Sequence, residues 1–483
     1  MKPNQNSQDL TSVVDAGVPP FVQHVVETFG AAGLALGIVK GDELIYAQGF
    51  GVRNLETGEP VTPRSLFHLA SISKTFVATA LMQLVEAGEL ELDTPVVAYL
   101  PYFRLNDERA ARRITVQQML SHTSGMPDPQ EYDWHQPETD EGALERYVRS
   151  LAGETLIAAP GEKHAYSNAA FEVLGDVIAK VSGQTFEDYV KTHILEPLEM
   201  HDSTFLLSQV SPALATTPHF GMPPTTLPGA YPYHRAHAPS STLHSSVVDM
   251  SHWAIANLRR GNLGGRKILQ PSSYDLLWHP YVRTGDEGWN EAVGLSWSLG
   301  TFRDRSVISH GGSDPGFNAE FVMVPDEAIA VIVMGNANNP AVWTVADAVL
   351  DIVFGLEPQA PKPPASVTLG STLATAGLEA AIDEYRRLQA THPEAYDFGE
   401  DGFFTASWGA IEMRRAETVM PLVKLWLAVQ PEAPHAYEML GWTQLIDGAL
   451  EPATANLRRA LALDPENTHA AGLLKQLGAH EGV

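Results

Sequence analysis

Residues 33–51, GLALGIVKGDELIYAQGFG, read as two short strands reversed at Lys40-Gly41-Asp42, where glycine and aspartate suit a tight turn. Strand character returns late in the chain, in VGLSWSLGTF (293–302), SVISHGG (306–312), AEFVMVP (319–325) and AIAVIVMGN (328–336), separated by turns of antiparallel size. This split constrains the fold more than composition does. A sheet begun early and completed late must be assembled from both ends of one domain, with the intervening helices packed on it. The expectation is an α/β chain of the α+β kind, with an antiparallel sheet flanked by helices.

Between the two strand blocks, SKTFVATALMQLVEAGEL places Phe76, Val77, Ala80, Leu81, Leu84 and Val85 at helical spacing, and Gly88 can end that helix. Amphipathic AAFEVLGDVIAKVSG (169–183) gives way to long loops rich in proline and histidine, such as 216–239, of the kind that carry binding sites. Residues 355–366, GLEPQAPKPPAS, read as a semi-rigid linker. The predicted organisation is a domain over 1–355, a linker over 356–366 and an all-helical domain over 367–483. In the last, Tyr437, Leu440, Gly441, Gly448, Ala453, Leu457, Ala460 and Pro465 match the large, small and breaker positions of a tetratricopeptide repeat. A looser repeat precedes it, with VMPLVKLWLAVQP (419–431) as its second helix. Such a domain serves equally as a cap packed on the first domain or as a docking surface for a protein partner or a second copy.

The 483 residues carry a formal net charge of −27. A surface that negative repels phosphate backbones and anionic lipid heads, so neither nucleic acid nor membrane is expected as a partner. There is no cysteine, which excludes disulfides, thiolate metal sites and a cysteine nucleophile. The polar start, MKPNQNSQDLTSVVDAGVPP, lacks the apolar core of a signal peptide, so a cytoplasmic location is expected unless a leader has been trimmed.

Three stretches carry residues suited to chemistry. In LFHLASISKTF (66–76), Ser71 falls at a helix start with Lys74 one turn on. A serine there has the positive end of the helix dipole and its own N–H aimed at a forming oxyanion, and a lysine of lowered pKa can take its proton. The same residues also suit a helix cap followed by a solvated lysine. In HAYSNAAFEVLG (164–175), Tyr166 and Asn168 can aim a phenol and an amide at one pocket, or Asn168 can cap the helix after it. In SVISHGGSDPGF (306–317), a strand ends in His310, Gly311 and Gly312. The glycines admit a substrate backbone, and the Ser313 N–H suits a second oxyanion donor. Alone it reads as a glycine-rich hairpin end. His234 and His237 stand at a metal-binding spacing without an acidic partner, and His122 reads as a turn residue. No Gly-x-Ser-x-Gly elbow is present, which argues against an α/β-hydrolase, and no phosphate loop or dinucleotide fingerprint appears; neither cofactor nor metal is expected.

Taken in order, and with the flanking GFGVRN (49–54), MLSHTSGMPD (119–128) and GGSDPGFNAEFVMVPD (311–326), the three stretches resemble the penicillin-recognising serine hydrolases. That group holds class C β-lactamases, D-Ala-D-Ala carboxypeptidases, D-aminopeptidases and related esterases. The resemblance runs from about residue 20 to 355 and implies a β-lactamase/transpeptidase-like fold. It further implies that Ser71 is acylated, that Lys74 relays its proton and that Tyr166 activates the hydroxyl and later the hydrolytic water. Asn168 would meet the substrate amide, and the N–H groups of Ser71 and Ser313 would form the oxyanion hole. His310-Gly311-Gly312 departs from the Lys-Thr-Gly usual in the β-lactamases, and a neutral histidine anchors a carboxylate less well than lysine does. The implied substrate is therefore a small ester, amide or D-amino-acid peptide. Two alternatives stand beside it: a β-lactamase or carboxypeptidase, and a non-catalytic protein that binds a peptide or muropeptide and docks a partner through the repeat.

Overall fold

The strands from the two ends of the chain meet in one sheet. The computed structural model describes residues 7–128 and 131–480. Its main sheet contains β1 (Gly33–Lys40), β2 (Glu43–Gly51), β3 (Val282–Arg283), β4 (Ala292–Val293), β5 (Ser298–Phe302), β6 (Arg305–Asp314), β7 (Phe317–Val324) and β8 (Ile329–Gly335). The spatial order is β2-β1-β8-β7-β6-β5-β4-β3, so the early hairpin lies directly against the last strand. Every neighbouring pair is antiparallel, with Ile38 opposite Val331 and Val331 opposite Val322. The stretch expected as one strand over 293–302 is instead a hairpin. Ser296 has φ 72°, a left-handed value that ends the strand, and the Gly294 N–H donates to the Trp297 carbonyl across the turn.

Alternation along the central strands explains why they read as continuous apolar runs. Leu34, Leu36, Ile38, Val331 and Val333 point to one face, against α1 (Ser7–Phe29) and the helix Ala341–Val353. Ala35, Val39, Ala330, Ile332 and Met334 point to the other, against the large helical layer that holds α2 (Ser73–Glu86), α3 (Asn168–Ser182) and α4 (Val247–Leu258). Each such side chain removed from water is worth about 1.5–3 kcal/mol, so both faces stabilise the sheet. Helix α1 was not expected from the polar start of the chain, and Pro19-Pro20 is an unusual pair for a helix interior. The structure keeps both prolines inside that helix, and Val14, Val18, Val22 and Val25 form its buried stripe.

The Ala341–Val353 helix is α5. After it, α6 (Ala365–Ala376) starts just inside the stretch read as linker, with Pro364 before its first residue. It is followed by α7 (Leu378–Thr391), α8 (Asp401–Glu412), α9 (Met420–Val429), α10 (Pro434–Ile446), α11 (Leu450–Leu463) and α12 (Thr468–His480). α10 and α11 form a helical hairpin whose close approach needs Gly441: a Cβ there would sit 2.8 Å from Leu457 Cγ. These helices have a core of their own, centred on Trp426 and Trp442, and Trp134 and Phe220 from the long loops of the first part pack into it. The loops around the cleft are thus braced by the C-terminal helices. No described helix is long and apolar enough to cross a membrane.

Candidate active site

Ser71 lies in a single 3-10 turn, Ala70–Ile72, that leads directly into α2. Ala70 has φ 48°, a left-handed conformation that costs a residue with a Cβ about 1–3 kcal/mol and is held here by full burial. Lys74, the second residue of α2, is 0% exposed. Its ammonium donates to Ser71 Oγ at 2.9 Å and to the Ser240 carbonyl at 2.8 Å. Burial pulls its pKa down to about 8, although the carboxylates of Glu172, Asp314 and Asp128 pull the other way. A lysine in that state yields a neutral amine near physiological pH, within reach of the serine hydroxyl.

Tyr166 hydrogen-bonds Ser71 and opens 38% of its surface to the cleft. Burial of the phenol raises its pKa far above the ordinary tyrosine value. It therefore stays protonated and is suited to donate a proton, while Lys74 is suited to accept one. Helix α3 is capped by Ser167, whose Oγ accepts from the Ala170 N–H at 3.2 Å. Asn168 is thereby free of the capping role it was one reading to expect. Its amide Nδ2 donates to Asp128 Oδ1 at 3.0 Å and to the Tyr132 hydroxyl at 2.5 Å, leaving Oδ1 without a partner among the described residues.

The third stretch runs along β6. β5 pairs with β6 only as far as Ser309, so from His310 to Asp314 that edge of β6 has no strand beside it among the described residues. Gly312 fits against the turn that carries Ser71 because it has no side chain: a Cβ would lie 2.2 Å from the Leu69 carbonyl oxygen. Ser313 Oγ donates to Asn318 Oδ1 at 2.9 Å. Buried His310 donates from Nδ1 to the Gly311 carbonyl at 2.7 Å. Burial and the nearby Lys74 charge push its pKa down to about 3, so the ring is neutral.

Ser71, Tyr166, Asn168, His310, Gly311, Gly312 and Ser313 all line one cleft of about 550 Å³, with Lys74 beneath Ser71. The three separated stretches of sequence therefore converge. His122, read as a turn residue, lines the cleft as well and stacks on Tyr166. His234 accepts from the Ala236 N–H, and His237, expected to lack an acidic partner, instead lies 3.1 Å from Glu172, which the fold brings in from α3; no group of three or more side chains placed to hold a metal ion occurs among the described residues. Sequence reading missed Asp128, Tyr132 and Trp134 on one side of the cleft, and Phe404, Trp408 and Glu412 from α8 on another. The last three recur every fourth residue, a helical stripe that was present in the text with nothing to say what it faces.

A family model described as Beta-lactamase matches residues 21–353. Protein flp of Staphylococcus aureus (strain MW2) is 23% identical over 334 residues, which are 68% of this chain and 64% of that protein. The chain thus spans a little under two thirds of that relative's length. Unguisins hydrolase ungD' of Aspergillus campestris (strain IBT 28561) is 26% identical over 371 residues, 72% of this chain and 67% of that protein. Among solved structures, the octameric penicillin-binding protein homologue from Pyrococcus abyssi superimposes with a TM-score of 0.62 at 25% identity, covering 74% of this chain and 81% of that one.

Proposed function

The chain belongs to the Beta-lactamase family, and from that premise we propose that it hydrolyses a small ester, amide or D-amino-acid peptide through an acyl-enzyme on Ser71. The observation that carries this is the buried Lys74 ammonium, 2.9 Å from Ser71 Oγ with a pKa near 8. In the reaction, neutral Lys74 takes the hydroxyl proton as Ser71 Oγ attacks the substrate carbonyl. The N–H groups of Ser71 and Ser313 receive the developing oxyanion, and the protonated Tyr166 supplies the leaving group's proton as the carbonyl–leaving-group bond breaks. Water, deprotonated by the same pair, then attacks the acyl ester and returns Ser71 to its free form. Lys74 and Tyr166 exchange protons as one unit, so a pH profile reports the pair.

The open edge of β6 supports an extended substrate backbone beside Ser71. A neutral His310 supplies no charge for a substrate carboxylate, which argues against a β-lactam or a C-terminal D-Ala-D-Ala as the preferred substrate. The test is the hydrolysis of p-nitrophenyl butyrate by wild type and by Ser71→Ala. Turnover with an initial burst in wild type, and at least about a thousandfold loss in the variant, is expected. Equal turnover by the two would overturn the proposal, as would a chromogenic cephalosporin turned over far faster than any ester for the substrate preference.

A further inference from the structure

Helix α8 closes one side of the reaction cleft with the stripe Phe404, Trp408 and Glu412. Of the acids lining this cleft, three already have partners. Asp128 accepts from Asn168, Asp314 accepts from His68 at 2.7 Å, and Glu438 accepts from Asn467 and His469 at 2.6 Å each. Glu412 differs from them. Its hydrogen-bond partner is the Trp408 indole, and of its neighbouring charges Asp314 and Glu131 share its sign while Arg414 opposes it. The nearby Arg414 is bound to Glu131. Burial, with the two acids, raises the Glu412 pKa to about 8, and Arg414, engaged by Glu131, offsets this only in part.

An independent observation asks for the same kind of ligand. Asn168 is 8% exposed, lines the cleft, and has its Oδ1 unpartnered while its NH₂ is fully engaged, so it presents an acceptor to whatever enters. Tyr132, which accepts from Asn168, lines the same cleft as Glu412. The Tyr132 ring stacks on Trp134 with centroids 5.1 Å apart, and both line the cleft with Trp408, so the lining is aromatic, the kind of surface that attracts cations.

We infer that the substrate carries a cationic group, a protonated amine or quaternary ammonium, that is held between the two parts of the chain by Glu412, Trp408 and Asn168 Oδ1. This rests on the reading of the cleft as the site of attack by Ser71, and it makes Glu412 a specificity-determining residue supplied from outside the family-matched segment.

The test uses choline and its neutral isostere 3,3-dimethylbutan-1-ol, which carries tert-butyl in place of trimethylammonium. Each is measured as a competitive inhibitor of p-nitrophenyl butyrate hydrolysis by wild type and by Glu412→Gln. Each is also measured by tryptophan fluorescence quenching in Ser71→Ala, which needs no turnover. Choline is expected to bind about tenfold or more tighter than the isostere in wild type, with the ratio falling towards one in Glu412→Gln. Equal binding of the two in wild type, or an undiminished preference in Glu412→Gln, overturns the inference. Ester turnover that depends on Ser71 without any preference for choline would sink the cation site alone. A choline preference seen by fluorescence in a protein that hydrolyses no ester would keep the cation site and remove the hydrolase reading.

Discussion

The imidazole of His122 lies on the phenol ring of Tyr166, with centroids 4.2 Å apart and planes 22° from parallel. The same histidine accepts the Ser167 N–H on Nδ1 at 3.1 Å, and its carbonyl accepts the Ala165 N–H at 2.8 Å. One residue thus holds the backbone on both sides of Tyr166 and the ring between. Burial and the Lys74 charge keep its pKa well below the ordinary histidine range, so it does so as a neutral ring.

Replacing it by asparagine tests this positioning role. Asparagine tolerates the left-handed backbone at this position, where φ is 53°, and can accept the Ser167 N–H, but it cannot stack. His122→Asn is expected to melt within a few degrees of wild type and to lose about tenfold or more in kcat with little change in KM. A rise in KM at unchanged kcat would place His122 among the binding residues instead.

The lowered pKa of Lys74 makes two linked expectations about pH. kcat/KM for p-nitrophenyl butyrate should rise with pH and level off above about 8. Stability should move in the same direction. Between the folded value near 8 and the unfolded value near 10.5, the unfolded chain holds a proton that the folded one has released, so stability rises with pH across that window. Below pH 8 both states are protonated and the folded state bears the full penalty of the buried charge. Relative to Lys74→Met, wild type should gain about 1.4 kcal/mol per pH unit over the window, read from denaturant melts at pH 8 and pH 10. A constant difference between the two proteins would show that the ammonium is not desolvated.

The two glycines of the third motif should respond differently to a single methyl. At Gly312 a Cβ meets the Leu69 backbone at 2.2 Å, whereas at Gly311 the nearest atom is the movable end of Glu320 at 3.0 Å. Gly312→Ala must drive β6 away from the nucleophile turn, and a loss of about a hundredfold in kcat with about 1–3 kcal/mol of stability is expected. Gly311→Ala should retain most of both. Side-by-side kinetics and melting of the two variants check this, and equal effects would contradict it.

Gly409 reports on the contact between α8 and the catalytic part. A Cβ there would lie 2.4 Å from Asn338 Oδ1, and Asn338 also accepts the Gly316 N–H at 2.6 Å and donates to the Asp314 carbonyl at 2.9 Å. Gly409→Ala should therefore push α8 outward and disturb the turn after β6, raising KM several-fold while leaving the acylation burst in place. Limited proteolysis that becomes faster within the helices after 365 would accompany it.

The convergence of Ser71, Lys74, Tyr166, Asn168 and 310–313 on one cleft was legible because each motif is local. Ser71 and Lys74 are one helical turn apart, Tyr166 and Asn168 flank one cap, and residues 310–313 run along one strand, so spacing alone preserves their geometry. The sheet was legible for a similar reason, since β-branched runs announce strands whichever partner they find. Asp128 was less so. It looks like a turn residue in GMPDP, and only the fold brings Asn168 against it from forty positions further along. Phe404, Trp408 and Glu412 were hidden by docking: the helical pattern of α8 tells which residues leave its own core, but not that the vacated face meets a catalytic cleft.

The proposed nucleophile, its base and the oxyanion donors fall within residues 21–353, whereas one wall of their cleft comes from helices that begin at Ala365. On the proposed reading, reaction and choice of substrate are inscribed in separable lengths of the same polypeptide. A lineage can exchange or repack the later helices and acquire a new clientele while the bond-breaking atoms keep their places, and a protein engineer can follow the same route.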